Sequence, residues 1–111
     1  MQQDKIRTRE VEAMLATFAA LSEPDDIYAL LMDLCTIREI TEMSQRLEVA
    51  RLLAEKVPYT EIQRRTGVST TTISRVSKCL NGAEGGYRIV LGRLADAGAP
   101  ANSDAVSSDA N

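Results

Sequence analysis

Histidine and tryptophan are both absent from this chain of 111 residues, and three tyrosines and one phenylalanine are its only aromatics. Without histidine, a Ser-His or Cys-His nucleophile and a histidine-ligated metal are excluded, which leaves enzymatic chemistry little to build on. Cysteine is scarce as well. Cys35 and Cys79 stand far apart, with neither a CxxC redox pair nor the paired spacing of a zinc knuckle, and both read as buried thiols. No apolar run reaches membrane-spanning length, and the charged start MQQDKIRTREVE is unlike a secretory signal. The expected compartment is the cytoplasm, with no membrane partner. Carboxylate pairs such as Glu39 with Glu42 share a helical face, where a solvated or capping role is expected. No catalytic residue, metal site or cofactor is expected.

What the chain does have is helical periodicity. Val11, Met14, Leu15, Phe18 and Leu21 recur at helical spacing and predict an amphipathic helix over about 5–21. Ser22 precedes Glu23-Pro24-Asp25, a helix-start signal with proline in the first turn, and Ile27, Leu30, Leu31 and Leu34 form the apolar face that follows. Thr36 and Glu39 make a T-x-x-E capping box. Behind it Ile37, Ile40, Met43, Leu47, Ala50 and Leu53 carry a stripe through the longest helix, which Pro58 is expected to end while opening the next. Asn81-Gly82 reads as a left-handed stop, and Tyr87, Val90, Leu91 and Leu94 predict a last helix terminated by Gly98 and Pro100. The expectation is an all-α domain of about six helices over residues 1–97. Residues 98–111 are too small and polar to offset the entropy of ordering and are expected to form a disordered tail.

The richest stretch is YTEIQRRTGVSTTTISRVSKCLN, Tyr59 to Asn81. Ile62, Val68, Ile73, Val76 and Leu80 supply a core. Gly67 stands between two short helical runs, where a tight turn needs a residue free to take φ > 0. Ser69 is placed to N-cap the second run. This is the pattern of a helix-turn-helix, in which the early residues of the second helix meet base edges in the major groove. Hydroxyls can donate or accept there, a threonine methyl can touch the thymine methyl, and arginine can pair bidentately with guanine. Ser69, Thr70, Thr71, Thr72 and Arg75 are therefore the expected base-side residues. Gln63, Arg64, Arg65 and Lys78 are the expected phosphate-side residues, although Gln63 occupies a position where close helix crossing favours a small side chain.

The formal net charge of −3 resolves when it is divided along the chain. Residues 1–34 carry three basic and seven acidic groups, residues 38–80 eight basic and five acidic, and residues 81–111 two and four. Positive charge is thus concentrated on the motif, where phosphate contact needs it.

Taken together, DLCT at Asp33 to Thr36, QRLEVARLL at Gln45 to Leu53 and TGVSTTTISRVSKCLN at Thr66 to Asn81 resemble the Trp repressor family, most closely its YerC/YecD-type branch of Trp-repressor-related proteins. The resemblance spans roughly residues 5–95. It implies an all-helical, intertwined homodimer that presents paired reading heads to palindromic double-stranded DNA and represses transcription. It also implies a place for a small-molecule co-regulator, with Thr36, Arg46 and Arg75 matching the residues that frame the family's amino acid. Two positions depart from that frame. Val76 stands where the repressor has a small residue beside the indole, and Cys79 aligns with a serine. These departures argue against tryptophan and leave another small ligand, or none.

Bland roles compete at several positions. Thr36 suffices as a helix cap, Arg46 as a surface cation, and Arg75 is open to a base, a phosphate or the ligand. Among whole-protein alternatives, a helix-turn-helix adaptor or antitoxin-like dimer would bind protein instead of DNA. The DNA-binding arm of a recombinase would need a catalytic domain for which this chain has no room.

Overall fold

The computed structural model describes residues 6–98. Six helices account for the architecture among them: α1 (Arg9–Ala19), α2 (Pro24–Leu34), α3 (Ile37–Ala54), α4 (Tyr59–Thr66), α5 (Thr70–Leu80) and α6 (Gly86–Asp96). The all-α expectation holds. The expected disordered tail lies outside the described residues apart from Gly98.

The chain divides into two compact units at the bond between Glu42 and Met43, inside α3. In the first unit the local rules of helix starting are plain. Thr8 caps α1 by accepting from the Val11 amide at 3.2 Å. Pro24 opens α2 behind the extended residue Glu23, whose side chain makes no cap, and Asp25 and Asp26 supply the acidic first turn. The capping box before α3 is complete: the Thr36 amide donates to Glu39 Oε1 at 2.8 Å, and the Glu39 amide donates to Thr36 Oγ1 at 3.0 Å. Glu42 pairs with Arg38 at 3.2 Å, so the two carboxylates of that face are occupied by capping and by a solvated ion pair. Thr36→Ala should lower stability by about 1 kcal/mol, read as a lowered thermal midpoint. An unchanged midpoint would show that the box contributes nothing.

Helices α1 and α2 bury no side chain within the single chain. Tyr28 is 60% exposed, Leu34 56% and Ile37, at the start of α3, 71%.

The second unit holds the core. Val49, Ala50 and Leu52 of α3, Ile62 of α4, Val68 of the turn, and Ile73 and Val76 of α5 are buried, with Leu53, Val57, Tyr87 and Leu91 packed around them. Leu80, expected inside, is half-buried. The expected stripe of α3 is realised only at its C-terminal end, and there Val49 and Leu52 join it. Between them Arg51 is clamped by Glu48 at 2.6 Å and Glu55 at 2.8 Å. The hydrogen bonds that Arg51 donates to Glu48 lead in raising its pKa above the ordinary arginine value.

Four expectations are corrected. The long helix stops before Pro58: Lys56 takes a left-handed φ of 67°, and the Val57 amide returns to the Leu52 carbonyl at 3.0 Å. The proline opens the motif as expected, standing as the extended cap residue of α4. Asn81 is not left-handed, with φ −97°, and the positive φ of that connection falls on Gly85 at 74°. Helix α5 can end without it, because Asn81 Nδ2 caps the Ser77 carbonyl at 2.9 Å and Arg88 donates to the carbonyls of Leu80 and Gly82. The first helix is shorter than its apolar repeat, since Leu21 lies beyond Ala19. Neither cysteine is buried: Cys35 is half-buried and Cys79 exposed.

Candidate nucleic-acid interface

Helices α4 and α5 pack on one another through Ile62, Val68, Ile73 and Val76, and Gly67 sets the turn between them. Its φ of 77° is left-handed, and its amide closes α4 on the Gln63 carbonyl at 2.8 Å. A Cβ at Gly67 would meet nothing within 4 Å, so glycine is required there by the backbone conformation alone. Thr66 steadies the turn from within: its hydroxyl donates to the Ile62 carbonyl at 2.7 Å and accepts from the Val68 amide at 3.3 Å.

Ser69 N-caps α5, accepting from the Thr72 amide at 3.2 Å, and its hydroxyl also reaches Thr72 Oγ1 at 3.2 Å. Ser69 and Thr72 are therefore tied to each other as a helix start. Ile73 and Val76 turn fully inward, which leaves Thr70, Thr71, Arg75 and Lys78 exposed on the outer side of the same helix. Ser74 is exposed beside them. The sequence reading passed over it, although its position four residues after Thr70 was the available signal. No ion pair engages Arg75 or Lys78 among the described residues, so both carry uncompensated charge.

The supporting helix is arranged differently. Gln63, Arg64 and Arg65 are all exposed, which removes the steric difficulty foreseen for a glutamine at the helix crossing. Both arginines converge on one carboxylate: Arg64 Nε donates to Glu61 Oε1 at 3.0 Å, Arg64 Nη2 to Oε2 at 2.5 Å, and Arg65 Nε to Oε2 at 2.9 Å. These bonds, those from Arg64 foremost, hold the Glu61 carboxyl at about 2 instead of 4.5. A depressed folded pKa means that the pairing favours the native state above the unfolded value and is lost only as pH falls through about 2. Carboxyl carbon shifts followed by NMR should place the Glu61 midpoint near 2, and a midpoint near 4.5 would contradict the three-way pairing.

The family described as Trp repressor protein matches residues 9–95. The chain belongs to that family. It is 44% identical over 94 residues to the uncharacterised Bacillus subtilis protein YerC, covering 85% of this chain and 90% of YerC. Two solved structures share the Trp repressor fold. A TrpR-like protein from Eubacterium eligens has a TM-score of 0.78 at 43% identity, over 83% of this chain and 95% of the other. A candidate Trp repressor from Staphylococcus aureus has a TM-score of 0.79 at 34% identity, over 85% and 94%.

The three residues expected to meet a small-molecule ligand are placed as follows. Thr36 is exposed and spends its hydroxyl on the capping box. Arg46 is half-buried on α3, and Arg75 is exposed on the outer side of α5. Val76 is 1% exposed and belongs to the core. Among the described residues no group of three acidic or cysteine side chains is placed to hold a metal ion, and no helix is long and apolar enough to cross a membrane.

Proposed function

We propose that the protein is a sequence-specific DNA-binding transcriptional regulator, a repressor that acts from the cytoplasm as a homodimer on a palindromic operator. The observation that carries this reading is the outer side of α5, where Thr70, Thr71, Arg75 and Lys78 lie exposed on a helix whose inner side is locked into the core. Thr70 and Thr71 supply hydroxyls and methyls for base edges, Arg75 a bidentate donor, and Lys78 a point charge for phosphate. Ser69 and Thr72 fix the start of the helix and so aim these groups. Gln63, Arg64 and Arg65 of α4 face the flanking backbone.

Dimerisation supplies the second reading head, and a second copy of the chain is the occupant that suits the apolar faces of α1 and α2. Two α5 helices about one helical turn apart would read two half-sites. Thr36, Arg46 and Arg75 are the residues proposed to meet an effector if the protein takes one, and Val76 and Cys79 favour another small molecule, or none, over tryptophan.

The test is a salt series of DNA affinity. Phosphate binding releases counterions, so log K should fall linearly with log salt by about 0.9 for each phosphate neutralised. An affinity indifferent to salt would overturn the reading in favour of a protein-binding adaptor. Sedimentation should give twice the chain mass of 12.1 kDa, and a monomer would remove the palindrome from the proposal.

A further inference from the structure

Four cations lie on the two helices of the motif, and they are treated unequally. Arg75 and Lys78 on α5 have no ion-pair partner among the described residues, whereas Arg64 and Arg65 on α4 are both bound to Glu61. The carboxylate grips Arg64 through two parallel bonds and spends its Oε2 a second time on Arg65. All three side chains reach solvent: Arg64 is 71% exposed, Arg65 41% and Glu61 33%. The trio is therefore a surface cluster of net charge +1 where two bare arginines would present +2.

From this geometry, and resting on the DNA-binding reading above, we propose that Glu61 is a specificity-determining residue that limits phosphate affinity by competing with DNA for Arg64 and Arg65. A phosphate and a carboxylate make the same demand on a guanidinium, two parallel acceptors in one plane. The fork of Arg64 can satisfy one of them through Nε and Nη2, and the bound carboxylate repels any phosphate approaching beside it. Glu61 thus removes about one phosphate contact per protomer.

The consequence falls unequally on different DNA. Nonspecific binding consists almost wholly of phosphate neutralisation, while operator binding adds base contacts from α5. Holding back the α4 arginines lowers the first by a larger share than the second. In an acidic chain whose positive charge is local, this keeps the reading head from being held on random sequence.

The test uses the full chain, its Glu61→Gln variant and a short random-sequence duplex, which requires no knowledge of the operator. Glutamine keeps the size and one acceptor oxygen, and the side chain lies at the surface, one-third exposed, so folding is preserved and can be checked by circular dichroism. Glu61→Gln should tighten binding roughly tenfold per contacting protomer near 0.1 M salt and steepen the log–log salt slope by about 0.9. The triple variant Glu61→Gln, Arg64→Gln, Arg65→Gln should lose that gain entirely. If the original chain binds and Glu61→Gln binds equally or more weakly, the limiter role is overturned and Glu61 instead orients the arginines for contact. If neither protein binds DNA at low salt, the DNA-binding reading itself fails and takes this inference with it.

Discussion

Leu52→Ala should lower the stability of the protein by about 2 to 5 kcal/mol, the largest effect expected of any single change in the reading head's support. Leu52 is fully buried and is among the largest side chains of a core that holds seven buried residues among those described, so little reserve of packing surrounds it. Truncation to alanine loses the transfer free energy of three carbons and leaves a cavity between α3 and the α4–α5 pair. A domain of this size has roughly 5 to 15 kcal/mol in all, so the variant should unfold at a midpoint lower by ten degrees or more. The position is remote in function, because Leu52 points away from the outer side of α5. Below its own midpoint the variant should therefore bind DNA as the unsubstituted chain does. A stability loss under about 1 kcal/mol would mean that Leu52 does not anchor the motif, and the packing described here would be wrong.

Arg75→Ala should weaken operator binding by about 1 to 3 kcal/mol and relax the preference at one base pair in each half-site, without changing stability. The contrast with Lys78→Ala makes the prediction sharp. Both side chains are exposed and free of ion pairs among the described residues, and they lie one turn apart on α5. A guanidinium nearer the base-reading turn carries sequence information when it pairs bidentately with guanine. An ammonium on a flexible stem neutralises phosphate and carries none. Lys78→Ala should accordingly weaken all sequences alike and flatten the salt slope by about 1. Equal losses on operator and random DNA for Arg75→Ala would demote it to a phosphate contact. No loss at either position would remove α5 from the interface.

The motif was the most legible part of the sequence because its signals are local. A glycine with positive φ, a serine cap and the inward pair Ile73 and Val76 follow from spacing and backbone chemistry within one stretch of chain. The capping box of Thr36 and Glu39 was legible for the same reason. What escaped depends on neighbours distant in sequence. The buried arc of α3 at Val49, Ala50 and Leu52 is wider than the single stripe that periodicity detects, since the end of that helix is packed on more than one side. The stop at Lys56 was hidden because lysine gives no warning of a left-handed conformation. Composition suggests buried thiols, but both cysteines fall at helix ends, where Cys79 is exposed in the last turn of α5 and Cys35 is half-buried just past α2. The grip of Glu61 on two arginines needed side-chain geometry, since charge counting alone reads those arginines as available to phosphate.

The central claim is that paired α5 helices read a palindromic DNA sequence. The measurement that addresses it most directly is selection of bound duplexes from a random library at near-physiological salt, with and without a mixture of amino acids, followed by sequencing. Enrichment of a palindrome whose half-sites lie about one helical turn apart is the predicted result. It should not depend on tryptophan. Recovery of an unenriched pool under both conditions would contradict the claim and leave α5 as a surface for protein.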